Sequence, residues 1–192
     1  MDKKEKLRKW LWLGLDETTA KKYQRKLSAE NVRIIRNESV IIAGIGALYT
    51  ICMLVLSHVY VKSLVCIIGA AWMFCIFLYT HSLLKKQDEI SKQETYASIG
   101  SFMICAYAVT IYVGTIGAGN ELAVTIVSLF VFLPTNFDLL PIYNLHITIV
   151  ALAMFFVSSY ITKTPDKFMY DVMDGILAAV IGNFAAFERA KI

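Results

Sequence analysis

Two aspartates, Asp171 and Asp174, stand near the start of the last long apolar run, just after Thr164-Pro165-Asp166. An ionisable group inside such a run is costly, and by default it marks a functional-site hypothesis. Helical spacing aligns Asp171, Asp174, Ala178, Gly182 and Ala185 along one stripe. Gly175, Ala178, Gly182 and Ala185 supply the small side chains of a seam that could admit a neighbouring helix closely. A polar pocket for a small ligand, ion or proton is one reading of the acids. A pair of carboxylates favoured by the positive end of a helix beginning at Pro165 is the other. For Asp174, which lies deeper, the two readings stand level; for Asp171 the structural one leads.

Asn144 and His146 lie in the preceding apolar run. Neutral Asn and His can bond to adjacent helices, which is the simpler role, and a place in a ligand site is the sharper one. A metal or haem would need a second ligand in register. Only His81 matches His146 in depth, with His58 at the other end of its run, so no metal and no cofactor is expected. Cys52, Cys66, Cys75 and Cys105 all fall in apolar runs without CxxC spacing, which indicates neither a zinc site nor a disulfide framework. Phosphate-binding loops, nucleotide fingerprints, nucleophile elbows and HExxH are absent from the sequence. The chain is therefore expected to carry no catalytic site.

The elements that must position these residues follow from composition. Of the 192 residues, 57% are hydrophobic and 18% charged, against about 45–50% and about 25% in soluble domains. That places the chain in the membrane class. A span needs about 20 mostly apolar residues, and six candidates satisfy or approach that length: 39–61, 64–84, 96–117, 119–134, 142–162 and 168–188. The fourth is the shortest and begins in the Gly114, Gly117, Gly119 cluster. The expected fold is all-α, an integral membrane bundle of six transmembrane helices (39–188) behind an N-terminal amphipathic, charged cytoplasmic segment (1–38).

Basic residues orient it, because cytoplasmic loops carry the excess of Lys and Arg. The first 38 positions hold 11 of the 19. With this segment inside, Lys85, Lys86, Lys92, Arg189 and Lys191 join it, leaving only Lys62, Lys163 and Lys167 outside. Both termini are then cytoplasmic. The net charge of +4 belongs to a membrane surface rather than to nucleic acid, since acids such as Asp16, Glu17 and Glu30 interrupt the basic residues. Trp10 and Trp12 suit the headgroup level, with Arg8 and Lys9 towards anionic lipid. Asp16 suits an N-cap for a following helix that has Ala20, Tyr23 and Leu27 on one face.

This layout resembles the N-terminal multi-pass membrane sensor region of bacterial GGDEF (diguanylate cyclase) proteins. The resemblance rests on Leu11-Trp12-Leu13-Gly14-Leu15-Asp16, on Glu30-Asn31-Val32-Arg33-Ile34-Ile35-Arg36-Asn37 ahead of the first span, on Phe132-Leu133-Pro134 with Asp138, and on Lys167-Phe168-Met169-Tyr170-Asp171-Val172-Met173-Asp174-Gly175. It covers nearly the whole chain through layout and loose motifs. It implies a sensory domain of the bacterial cytoplasmic membrane whose last helix leads, through Phe187-Glu188-Arg189-Ala190-Lys191-Ile192 (189–192 as the start of a connector), to an output module that makes cyclic di-GMP. The GGDEF signature is absent from this sequence, so no cyclase residue carries over. The partners expected are the lipid bilayer, a homodimer mate, a cytoplasmic output domain and an unidentified small ligand. The rival reading is a small transporter or membrane subunit using Asp174 and His146 as a polar pathway.

Overall fold

The computed structural model describes residues 17–57, 60–85, 90–137 and 141–190. Trp10, Trp12, Asp16, His58, Asp138 and the last two residues of the expected connector lie outside the described residues. Six α-helices are described: α1 Glu17–Cys52, α2 Tyr60–Leu84, α3 Lys92–Gly114, α4 Val124–Asn136, α5 Pro141–Thr162 and α6 Pro165–Ala190. One π-helical turn, Met53–Ser57, extends α1. No strand occurs among the described residues. Five helical segments are long and apolar enough to cross a membrane, and α4 is a shorter apolar helix of 13 residues. The chain is thus a helical, multi-pass membrane protein with five full-length candidate spans.

Boundaries follow local chemistry. No Gly or Pro interrupts the stretch from Glu17 to Ala43, and α1 runs unbroken from charged into apolar sequence. At the start of α3, Ser91 and Glu94 form a reciprocal capping box: the Ser91 N–H donates to Glu94 Oε2 at 2.8 Å, and the Glu94 N–H donates to Ser91 Oγ at 3.1 Å. Hydroxyls inside the apolar helices donate back to the carbonyl four residues earlier, as Thr50 does to Gly46 and Thr80 to Ile76. That leaves no unpaired hydroxyl proton at these positions.

By Cα proximity the chain divides into two compact units. In the unit spanning Ser28–Val113, glycines let helices approach. A Cβ at Gly69 would come within 2.6 Å of Val109 on α3, and one at Gly46 within 3.3 Å of Ala70. Val32, Leu83 and Ile90 form a buried apolar cluster there. The thiol of Cys105 lies 3.6 Å from the Gly69 carbonyl, while Cys52 and Cys75 are exposed.

The other unit contains α4, α5 and α6. Ala123, Phe130 and Thr135 along α4 meet Asp171, Gly182 and Arg189 along α6 in the same order, so these helices run parallel. On α5, Ser159 bonds to Asp171 and Thr148 to Asn183, so α5 runs antiparallel to α6. Phe130 and Phe155 pack with ring centroids 5.9 Å apart in this core. Across the same helices, Ile149, Val150, Met154, Val157 and Ile161 are exposed, as are Met169, Met173, Leu177 and Phe184. Contiguous apolar exposure on this scale suits lipid rather than water.

Candidate functional site

Asp171 lies in the second turn of α6 and is 1% exposed. Burying a carboxylate is costly unless donors converge on it, and three do. Lys163 Nζ donates to Oδ2 at 2.6 Å, Ser159 Oγ donates to the same oxygen at 2.6 Å, and the Ala123 N–H donates to Oδ1 at 3.1 Å. The Lys163 side chain is wholly buried. Lys163 follows the C-terminus of α5 and Ala123 precedes α4, so one carboxylate ties three helix ends together. No side chain caps α4 from its own sequence. Asp171 supplies the anion that its N-terminus favours. Nearby, Asn120 Oδ1 accepts from both the N–H and the hydroxyl of Thr164 at 3.0 Å, joining the loop before α4 to the α5–α6 turn.

The opposite end of α4 is held with opposite polarity. The Arg189 guanidinium donates to the Thr135 carbonyl, and Asn144 Nδ2 donates to the Pro134 carbonyl at 3.2 Å. These carbonyls fall in the last turn, where intrahelical donors run out, and a cation suits the C-terminal end of the dipole. A short polar chain continues from Asn144: its carbonyl accepts from Thr148 Oγ1 at 2.8 Å, and Asn183 Nδ2 donates to that Thr148 oxygen at 3.0 Å. Asn144 Oδ1 is buried with no hydrogen-bond partner among the described residues.

Midway, α4 and α6 touch through backbone. Pro134 has no N–H to offer the Phe130 carbonyl at i−4, and that carbonyl lies against Gly182, where a Cβ would overlap it. Close approach of a glycine Cα–H to a carbonyl is a known weak attraction at helix crossings. Gly175 faces Phe155 and Phe156, with a Cβ there placed 3.1 and 3.2 Å from their rings.

The stripe drawn on α6 from the sequence is thereby divided. Asp171, Gly175, Ala178 and Gly182 are buried, Ala185 is half-buried and Asp174 is exposed. At 3.6 residues per turn Asp174 sits about 60° from Asp171, whereas Ala178 and Gly182 sit within about 20°. The buried arc lies on the other side of Asp171, towards Gly175. Nor do the four candidate ligand residues meet. Asn144 and Ser159, the latter on Asp171, are separated along α5 by roughly 22 Å at ~1.5 Å per residue. His146 is exposed, while Asn144 is 2% exposed.

Sequence reasoning missed Lys163, which was counted only as a loop charge, and it missed Ser159, Thr148 and Asn183. One signal was available for Lys163: an acid buried in a helix hairpin needs a countercharge, and Lys163 is the cation across the Thr164-Pro165 turn. Among the described residues no group of three His, Cys, Asp or Glu could hold a metal ion. Comparison of the chain with family models, with curated proteins and with solved structures finds no match.

Proposed function

We propose that this chain is a membrane-embedded input domain whose last helix passes a signal to a cytoplasmic output module. The observation that carries the reading is the double anchorage of α4 by α6. One continuous helix holds the buried Asp171 near one end and Arg189 near the other, and each grips an opposite pole of the same short helix. An event that displaces α6 at Asp171 is felt at Arg189, because the helix between them has no proline and its glycines are packed.

In this reading the membrane carries six crossings, with α4 as the fourth. Its 13 residues reach only about 20 Å, against a hydrocarbon core of about 30 Å. Support for a crossing is that its ends lie beside opposite ends of α5 and α6, both of full length. The Lys163 end then faces outward, and Arg189 and the charged N-terminal segment face the cytoplasm of a bacterial cell, as the bias of basic residues favours. A cyclic di-GMP-forming output rests on the resemblance to GGDEF-associated regions. By population-shift logic the signal must bind two arrangements of α6 unequally.

The test joins residue 192 in frame to a diguanylate cyclase domain without its own input region and measures cyclic di-GMP in cells. Asp171→Asn and Lys163→Met are expected to shift output severalfold in the same direction, with Gly100→Ala, at an uncrowded position, as the silent control. Output that ignores both substitutions at equal protein abundance would sink the proposal. Vesicle flux abolished by the same substitutions would favour the transporter.

A further inference from the structure

The Arg189 end of α4 carries a polar group of its own, apart from the Asp171 cluster. Asn144 is 2% exposed and Thr148 3%, and Asn183 is half-buried. Their hydrogens are largely committed. Asn144 Nδ2 donates to the Pro134 carbonyl, the Thr148 hydroxyl to the Asn144 carbonyl, and Asn183 Nδ2 to both Thr148 Oγ1 and, at 2.9 Å, the Ala179 carbonyl. What these side chains leave over is oxygen. Asn144 Oδ1 is buried with no hydrogen-bond partner among the described residues. Turning the amide round does not help, because Oδ1 would then meet the Pro134 carbonyl, oxygen against oxygen. A buried amide oxygen without a partner is costly, so this one asks for an occupant that supplies what the fold does not.

The chemistry of that occupant is restricted, since it must accept electron pairs. The Pro134 carbonyl falls in the last turn of α4, at the negative end of the helix dipole, and keeps a second lone pair beyond the one Asn144 uses. Thr148 Oγ1 likewise has one lone pair beyond the one that Asn183 takes. A water at Asn144 Oδ1 would bring lone pairs of its own, and among these side chains only the second Asn144 N–H is left to meet them. A cation brings none. No carboxylate belongs to the group, because Asp171 binds the opposite end of α4 and Glu188 is exposed in the last turns of α6. Calcium and magnesium take carboxylates, whereas neutral carbonyl and amide oxygens at helix ends suit monovalent ions.

We infer that Asn144 Oδ1, with the Pro134 carbonyl and Thr148 Oγ1, binds a monovalent metal cation, sodium or potassium, between the C-terminal end of α4 and the first turns of α5. Arg189 is the like charge at this end among the described residues. It is exposed and engages the next carbonyl, Thr135, so solvent screens it, and it lowers the affinity for the ion without excluding it. This site goes beyond the input reading and stands or falls without it.

The test uses the full chain in detergent at constant ionic strength, with N-methylglucamine chloride exchanged stepwise for sodium or potassium chloride, and follows the thermal unfolding midpoint. A saturable rise of about 5 °C is expected for at least one of the two ions at roughly a hundredfold excess over its Kd. Asn144→Leu, which fills much the same space without the oxygen, should abolish the response, and Thr148→Val should weaken the apparent affinity about tenfold. Arg189→Gln removes the flanking charge and should tighten binding severalfold, to which a neutral occupant would be indifferent. Identical midpoints in all three salts would overturn the site, as would an unaltered ion response in a folded Asn144→Leu chain. Where Asn144→Leu does not fold, Arg189→Gln decides, and a Kd that it leaves unchanged rules the cation out. A midpoint raised by magnesium or calcium chloride but by neither monovalent salt counts against the assignment equally.

Discussion

At the scale of single residues, the weight of this molecule falls on Lys163 and Asp171. A buried pair is a poor source of net stability, yet removing one partner strands the other and costs about 3–5 kcal/mol. Lys163→Met leaves Asp171 with Ser159 and one backbone N–H, too little for a charge without solvent. The expected outcome is a fall in the thermal unfolding midpoint in detergent that is larger for Lys163→Met than for Lys163→Met/Asp171→Asn, where no charge remains and the amide can still accept from Ala123. Additive losses in the two single variants and the double variant would mean that the pair does not act as a unit.

At the scale of elements, the fit of α4 against α6 depends on Gly182. Alanine normally stabilises a helix interior by up to about 1 kcal/mol over glycine, but at Gly182 its Cβ would overlap the Phe130 carbonyl. Gly182→Ala should therefore destabilise the protein by about 1–3 kcal/mol, whereas Gly100→Ala, with nothing within 4 Å, should be neutral or slightly stabilising. Matched unfolding curves for the two variants would show that α4 does not lie where described. Much of this layer was legible in the sequence. Runs 64–84, 142–162 and 168–188 fall inside α2, α5 and α6, because apolar length is set along the chain. The start of α4 was not. The turns from Thr115 to Asn120, with Gly119 at φ +63°, use up residues that composition alone assigns to a span. The small residues of α6 were readable as a seam, but which of its neighbours bounded that seam depended on a 60° difference between Asp171 and Asp174. The Ser91–Glu94 capping box had an S-x-x-E signature in plain view and went unused. Partners across a turn, such as Lys163, are harder, since hydropathy counts a lysine after a span as loop.

For the whole molecule, the question is how the helices thread the bilayer, and α4 decides it. Asn120 is bonded to Thr164, and Arg189 to Thr135, so the loop before α4 and the α5–α6 turn lie at one end of this unit while both Asn136 and Arg189 lie at the other. If α5 and α6 cross, those two ends lie on opposite sides of the membrane, and α4 must traverse between them despite its length. Its shortfall of about 10 Å falls to flanking polar backbone, which is tolerated at depth when covered by protein. At the start of α4 the Ala123 N–H is taken up by the buried Asp171 carboxylate. Single cysteines at Glu121, Asp166, Lys85 and Glu188, all exposed, in an otherwise cysteine-free chain make this measurable with a membrane-impermeant maleimide. Glu121→Cys and Asp166→Cys should label in intact cells, and Lys85→Cys and Glu188→Cys only after permeabilisation. Labelling of Glu121→Cys and Asp166→Cys from opposite sides would reduce the crossings to five and separate groups that the Asn120–Thr164 and Ala123–Asp171 bonds hold together. The two bonds and the sixth crossing are therefore one claim, and a single labelling experiment tests them jointly.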